Sequence, residues 1–233
     1  MKDKALVLFA AALVALLLAP GLAAAGELTV GPQIGTLGLG LNAGYQYSDY
    51  LKFRANTNYL PYSRSDEVNG INYKADLDYF TIGALADVHP FAGNFRFSGG
   101  LYYVDLSVKA NASLKKSDTP EYKIGDNYYS GNQLGTWKGS VEWKTLAPYA
   151  GLGYGSGSGN EPGFGFSFDL GALYIGKSKV NIQPSASAYE LAKQNGYYDE
   201  LRANVKKEED EVKGYADKLQ FWPVLSLGVI YRF

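Results

Sequence analysis

The feature that most constrains this fold is a set of long segments in which apolar residues alternate with polar residues or glycine. Clear examples are residues 37–47, 51–59, 95–106 and 164–174. A period of two is that of a β-strand with two different faces. Each run is roughly 10–14 residues long, whereas strands of soluble proteins average about 5–6 residues and a tilted strand across a bilayer needs about 9–11. The pattern therefore predicts strands that cross a membrane.

Such strands must close on themselves, because unpaired backbone groups at a sheet edge are not stable in hydrocarbon. We therefore predict an all-β fold, an antiparallel transmembrane β-barrel of about eight strands. Seven strands are clear, and the eighth must come from 27–34, which contains Pro32. The predicted connections are short at 48–50, 89–94 and 155–163 and long at about 60–72, 107–139 and 176–219. Short turns are typical of the periplasmic side, so both termini are expected there.

The composition agrees with such a barrel and excludes other classes of protein. The chain has 28 Gly, 20 Tyr and 11 Phe, no Cys, and a formal net charge of −1. It therefore has no disulfide or thiol chemistry and no basic excess to indicate nucleic-acid binding. Aromatic residues at the strand ends are expected to form two girdles at the membrane interfaces. The inner girdle would contain Tyr45, Tyr47, Phe95, Phe97, Phe164, Phe166, Tyr231 and Phe233, and the outer one Tyr59, Tyr73, Tyr103, Trp143, Tyr174 and Phe221.

Two segments are not barrel-like. Residues 1–25 have a charged start, an apolar run over 5–19 and small residues at 23–25. This order is typical of a cleaved secretory signal peptide, which leaves a mature barrel domain over 26–233. Residues 188–219 have apolar side chains at helical spacing, which predicts a helical insertion in the last extracellular loop. The alternatives are a solvated loop helix, a lid over the barrel mouth, or a partner-binding helix.

Charged residues also occur on the predicted lumen face of the strands. By alternation they are Lys52, Arg54, Asp76, Asp78, Arg96, Glu142, Lys144 and Asp169. The interior of a small barrel is just wide enough for side chains to fill it, and buried charges must be paired. We therefore predict an internal salt-bridge network that plugs the barrel, with a gated polar pathway as the alternative.

The last strand alternates up to the final residue. Leu225, Leu227, Val229, Tyr231 and Phe233 share one face. With the signal peptide and the amphipathic strands, this pattern resembles small proteobacterial outer-membrane β-barrel proteins of the OmpA-barrel or OmpW size class. The segments LAPYAGLGYG, DVHPFAGNFRFSGGLYY and GFSFDLGALY are similar to parts of uncharacterised barrels of that group. The resemblance implies that PVLSLGVIYRF is the C-terminal signal presented to the barrel assembly machinery during insertion.

No catalytic, cofactor-binding or metal-binding residues are predicted. GALYIGKS (171–178) matches a phosphate-binding loop, but its middle residues continue a strand and no helix follows, so we expect no nucleotide site. His89 is the one histidine, and the predicted topology places it in a periplasmic turn. Asp76 and Asp78 are ordinary lumen lining by spacing. The acidic residues of the outer loops match no calcium loop.

The sequence thus predicts a non-enzymatic monomer in the bacterial outer membrane, with lipid, lipopolysaccharide and the assembly machinery as partners. Its function would be that of a plugged structural or surface-interaction barrel. The alternatives are a channel or transporter for small or hydrophobic molecules, as OmpW-like barrels imply, and a lipid-modifying enzyme.

Overall fold

The computed structural model describes residues 27–68, 71–114, 121–124, 127–130, 136–155 and 162–233. Its strands are β1 (Leu28–Gly35), β2 (Gly38–Ser48), β3 (Leu51–Val68), β4 (Ile71–Val88), β5 (Phe95–Leu114), β6 (Glu121–Ile124), β7 (Asn127–Ser130), β8 (Thr136–Gly155), β9 (Gly163–Tyr174), β10 (Lys179–Pro184) and β11 (Phe221–Arg232). Its helices are α1 (Ala186–Gln194) and α2 (Tyr198–Ala216). The predicted signal peptide, 1–25, lies outside the described residues.

Eight strands form a closed antiparallel barrel in the order β8-β5-β4-β3-β2-β1-β11-β9, and pairing of β8 with β9 completes the ring. This confirms the predicted fold class. Both ends of the barrel domain lie together, since the Phe233 N–H donates to the Leu28 carbonyl at 3.0 Å. We call this end, which also carries the turns at 49–50 and 89–94, the terminal end, and the opposite end the loop end.

The uncertain first strand is present, and its proline is accommodated by the ladder. β1 pairs with β2 without interruption through Pro32. Its pairing with β11 covers Val30 and Gln33 but skips the two residues between them. Proline has no N–H to donate, so the missing donor falls where the ladder with β11 is interrupted.

The wall of the barrel has unequal height. The turn between β1 and β2 at Thr36–Leu37 is short, and the φ of +102° at Gly38 is a left-handed value that favours glycine there. The β3–β4 ladder instead continues to Val68 and Ile71, and the β5–β8 ladder to Ser113 and Thr136. Most of the predicted loops 60–72 and 107–139 are therefore strand, because pairing between neighbouring strands continues into water beyond the membrane.

β10 and the helices follow β9 at the loop end. β10 pairs with the upper part of β8, from Lys179↔Glu142 to Pro184↔Trp137, and so continues the line of β9 after a break at 175–178. Ala192 of α1 and Leu201 and Val205 of α2 are buried together against Trp137 and Ile182. The predicted helix over 188–219 is thus two helices docked on β10. No helix in the described part of the chain is long and apolar enough to span a membrane.

The outer surface of the barrel is apolar over its middle. The exposed residues include Leu39, Phe53, Ile82, Leu101, Leu152, Leu170 and Leu227. Soluble monomers rarely expose a continuous apolar surface of this kind, whereas a band of such residues faces lipid in outer-membrane-type barrels. The inward positions carry the polar and aromatic side chains that form the candidate site.

Candidate functional site

Four charged side chains from four strands meet inside the barrel near its terminal end. Arg54 comes from β3, Asp87 from β4, Arg96 from β5 and Asp169 from β9. Their side chains are 0–6% exposed. Inward alternation on each strand brings them to one level, and closure of the barrel places β9 opposite β3 and β4. We call these four residues the ion-pair cluster.

Arg54 is the hub of the ion-pair cluster. Its Nε and Nη2 donate to Asp87, the latter at 3.0 Å. Its Nη1 and Nη2 also donate to the two oxygens of Asp169, at 3.1 and 2.9 Å. One guanidinium therefore bridges two carboxylates across the lumen. Paired donors of this kind fix geometry as well as charge.

Arg96 completes the cluster from the neighbouring strand. Its Nη2 donates to Asp169 at 2.7 Å, and its Nε lies 3.6 Å from Asp87. The Ser98 hydroxyl donates to Asp87 at 2.7 Å. Each carboxylate thus has at least two partners, which is the condition under which buried ions are tolerated. The arrangement crosslinks the walls of the barrel.

Lys52 and His89 lie next to this cluster, around a cavity of about 20 Å³ at the terminal end. His89 Nδ1 is 2.8 Å from the Gly93 carbonyl within the turn. Because a carbonyl only accepts, Nδ1 carries the proton in the neutral ring. Nε2 is buried and, within the described part of the chain, has no partner. The single histidine thus lies in the predicted turn, with its ring lining the cavity.

Above the ion-pair cluster, amides and hydroxyls fill the middle of the lumen. Gln33 donates to Asn58 at 2.6 Å, and Asn58 to Thr81 at 3.0 Å. Asn56 donates to the Tyr102 hydroxyl at 2.7 Å. A second cavity at this level, bounded in part by these residues, measures only about 10 Å³. A water needs about 10–15 Å³, so this level is filled by side chains.

The loop end of the lumen is closed by apolar residues. Tyr79, Val104, Leu106, Trp143, Ala147, Leu173 and Ile175 are buried there at 0–5% exposure. Trp222 packs edge-on against Tyr79, with ring centroids 4.9 Å apart. Ala216 at the end of α2 also packs against this layer. Two layers of side chains, one ionic and one apolar, therefore cross the lumen.

Half of the predicted lumen charges are found elsewhere. The structure brings together Lys52, Arg54, Arg96 and Asp169. Asp76, Asp78, Glu142 and Lys144 belong instead to the outward face of β4 and β8, because the buried residues of these strands are at odd positions such as Tyr79 and Trp143. Lys144 pairs with Asp105 on the outer surface at 3.3 Å. Placing these four in the lumen network was wrong.

Sequence reasoning missed Asp87 and the contribution of His89. Asp87 lies on the same inward face of β4 as Thr81, Gly83 and Leu85. Counting in twos from Tyr79 toward the end of β4 would have placed Asp87 in the lumen. Trp143 is likewise a lumen residue and does not belong to the outer girdle. The side chain of Tyr73 lies outside the described residues.

The outward positions of the last strand are as the alternation predicts. Leu225, Leu227 and Val229 are about half exposed and Phe233 is 62% exposed, while Tyr231 packs edge-on against Phe233 at 4.9 Å. Phe164 packs on Tyr231 at 5.0 Å. These rings form part of an aromatic belt at the terminal end. The role of this strand as an assembly signal stays a prediction.

The charged side chains of the site bond mainly to one another. In the described part of the chain, no group of three His, Asp or Glu side chains could hold a metal ion. Both carboxylates of the ion-pair cluster accept hydrogen bonds from within the barrel, while Arg96 Nε is buried without a hydrogen-bond partner among the described residues. What the arrangement can do is hold the strands together across the lumen.

Comparison with known proteins agrees with the barrel architecture. No family model matches the chain, and no curated protein matches it. The solved structure of CarO2 from Acinetobacter baumannii is 21% identical, with a TM-score of 0.57, and the match covers 89% of this chain and 98% of that one. CarO from the same organism is 21% identical with a TM-score of 0.55, over 88% and 97% of the two chains. The attachment invasion locus protein of Yersinia pestis is 13% identical with a TM-score of 0.40, over 90% and 99%. The chain therefore shares the fold of the CarO structures, an eight-stranded barrel of the outer-membrane type.

Proposed function

We propose that this chain is an integral outer-membrane protein whose lumen is permanently closed and whose function lies in the structures at its loop end. The observation that carries the proposal is the double closure. The ion-pair cluster spans the lumen at the terminal end, and the apolar layer of Tyr79, Trp143 and Trp222 fills it at the loop end. The two cavities, of about 20 and 10 Å³, are of the size of water molecules.

The proposed orientation puts both termini in the periplasm and α1, α2 and β10 outside the cell. The turns at the terminal end are short, and the extended strands and helices are all at the loop end. This asymmetry is usual for outer-membrane barrels. In this orientation lipid and lipopolysaccharide surround the apolar band, and the proposed mature protein, 26–233, is a monomer after delivery by a cleaved signal peptide.

A catalytic role is not part of the proposal. Most acid–base and metal hydrolases use histidine as base or ligand. The one histidine, His89, is at the terminal end, its Nδ1 is held by Gly93, and it is 7% exposed. A substrate at the loop end would be separated from it by both closing layers.

Planar-bilayer recordings test the closed lumen. We expect refolded 26–233 to give no defined current steps, while a porin in the same membrane does. Arg96→Ala should also be silent, because the apolar layer is intact, although its barrel should be less stable. Removal of 188–219 should likewise be silent, because the ion-pair cluster and all of the apolar layer except Ile175 come from the barrel strands, and the deletion takes away only Ala216 from the packing against that layer.

Folding must be established in the same samples. A heat-dependent change in gel migration shows that each variant forms a barrel before recording. Current steps from the folded wild type, altered in size by Arg96→Ala, would contradict the closed lumen and indicate a channel. Steps that occur only after removal of 188–219 would identify the helices as a lid.

A further inference from the structure

The cavity at the terminal end is lined by a buried lysine, Lys52. Lys52 is 7% exposed and lines the cavity. In the described residues it has no ion pair or hydrogen bond. Asp87 is opposite Lys52 in the β3–β4 register, but its oxygens are bonded to Arg54 and Ser98. Burying a charge without a partner is costly, so this position calls for an anion.

The charges around the cavity confirm the imbalance. Lys52, Arg54 and Arg96 supply three positive charges, and Asp87 and Asp169 supply two negative ones. Glu27, which also attracts Lys52, and Arg232 lie 3.9 Å apart at the same end and add one charge of each sign. Among the described residues, the charges around the cavity therefore sum to one positive charge in excess, which one monovalent anion would neutralise.

The size of the cavity limits the anion. About 20 Å³ corresponds to one or two water-sized spheres, which is enough for a halide ion and too little for phosphate or an organic acid. The wall facing the space includes the hydroxyl-bearing side chains of Thr29 and Ser167. Gly44 keeps the space open for the lysine, because a methyl group there would meet Lys52 Cε.

We propose that the cavity binds one chloride-sized monovalent anion, with Lys52 as its main ligand and the two arginines supplying the surrounding positive field. The anion completes the charge balance of the lumen and stabilises the terminal end of the barrel. This site is independent of any activity at the loop end and of whether the lumen conducts.

Chloride-dependent unfolding tests the site. Refolded 26–233 in detergent is unfolded by urea, because guanidinium chloride would add the ligand. Sodium chloride is exchanged for sodium gluconate at constant ionic strength, since gluconate is too large for the cavity. A ligand that binds only the folded state raises the unfolding midpoint. We expect a saturable rise with chloride, and bromide should act in the same way.

Two lysine variants separate specific binding from general salt effects. Lys52→Met keeps the apolar stem and removes the charge, and should weaken chloride binding by roughly tenfold or more. Lys144→Met removes an exposed lysine on the outer surface and should leave the chloride dependence unchanged. Equal midpoints in chloride and gluconate for the wild type would overturn the proposal, as would an equal chloride effect in Lys52→Met.

A direct measurement avoids reliance on a variant that could fail to fold. Crystals of the wild type grown with bromide should show one anomalous peak within hydrogen-bond distance of Lys52 Nζ. A cavity that contains only water in such crystals would also overturn the proposal.

Discussion

Two aspartates of this barrel show how burial decides what an ion pair contributes. Asp87 is fully buried and bonds to Arg54 and Ser98 inside the lumen. The side chain of Asp105 is 40% exposed, and it pairs with Lys144 on the outer surface at 3.3 Å. Removing one partner of a buried pair leaves an uncompensated charge, whereas an exposed pair is screened by water.

We therefore expect Asp87→Asn to lower the free energy of unfolding by about 3–5 kcal/mol. The matched control, Asp105→Asn, should change it by less than about 1 kcal/mol. Urea unfolding of both variants in the same detergent, followed by tryptophan fluorescence, measures the difference. Similar losses in the two variants would mean that the ion-pair cluster does not hold the barrel walls together.

A glycine in β4, Gly83, leaves the space that a tyrosine side chain of the neighbouring strand occupies. Gly83 lies opposite Tyr102 of β5, and a methyl group at this glycine would come within 2.5 Å of Tyr102 Cε1. The ring needs this place to receive the hydrogen bond from Asn56. Gly83→Ala should therefore destabilise the barrel by about 1–3 kcal/mol through overpacking.

Gly163→Ala is the control for this substitution, because nothing lies within 4 Å of the added methyl group there. Urea unfolding should show it close to the wild type. If Gly83→Ala matched Gly163→Ala, the tyrosine would have room to shift, and its position over the glycine would not be required.

The strands β4 and β8 show which residues of the site could be predicted from the alternating sequence pattern and which could not. Arg54, Arg96 and Asp169 lie on strands whose outward face is apolar along the membrane, so alternation placed them in the lumen. β4 and β8 extend beyond the membrane, where the outward face meets water and carries Asp76, Asp78, Glu142 and Lys144. The inward face there is apolar, with Tyr79 and Trp143. In this part of each strand, polar residues therefore face outward and apolar residues face the lumen, so assigning polar residues to the lumen gives the wrong face.

The first and last strands, β1 and β11, differ in how well the sequence predicts them. The prediction of β1 was uncertain because of Pro32. In the structure β1 pairs with β11, and a local sequence pattern cannot predict a pairing between the two ends of the chain. β11 could be predicted from alternation, because its outward positions, such as Leu225, Leu227 and Val229, are apolar. Contacts between strands distant in sequence, such as Arg54 with Asp169, depend on barrel closure and register, which periodicity alone does not determine.

The junction of α2 and β10 is a local element with its own pH dependence. Asp217 accepts hydrogen bonds from Lys213 Nζ at 2.7 Å and from the Ser178 N–H and hydroxyl at 2.8 and 2.9 Å. These bonds, that from Lys213 first, lower the pKa of Asp217 from 3.8 to about 2. A carboxyl with a lowered pKa stabilises the docked state fully above its ordinary pKa, and that contribution is lost as the pH falls from about 4 toward 2.

Pepsin, which is active in acid, can report on this junction. At about pH 4.5 we expect Asp217→Asn to be cleaved within 186–219 faster than the wild type, because the asparagine lacks the charge that the docked state favours. Near pH 2 the two cleavage rates should approach each other, since most of the stabilisation from the Asp217 charge is then lost. A constant ratio of the two rates across this range would show that Asp217 does not hold α2 on β10.

At the scale of the whole molecule, the unequal height of the barrel wall leaves one edge of β10 without a partner strand, and the helices cover this edge. β10 pairs with β8 on one side, and its other edge would present unpaired backbone groups to water. The Ile182 N–H on that edge donates to Glu209 of α2 at 2.8 Å, and Ile182 packs against the cluster of Leu201 and Val205. Covering an edge strand with a helix is a common defence against pairing with another chain. The helices therefore protect the monomeric state that we propose.

Removal of 188–219 should leave the barrel intact and make it self-associate through β10. Ile182→Pro in the shortened chain should restore the monomer, because it removes an N–H that points away from β8 and leaves that ladder intact. Ile182→Ala removes the same apolar side chain but keeps the N–H, so it should still associate. Light scattering after size-exclusion chromatography in detergent measures the mass of all three. If Ile182→Ala and Ile182→Pro gave the same mass, association would depend on the exposed apolar cluster rather than on strand pairing. The helices would then serve to cover apolar side chains instead of a sheet edge.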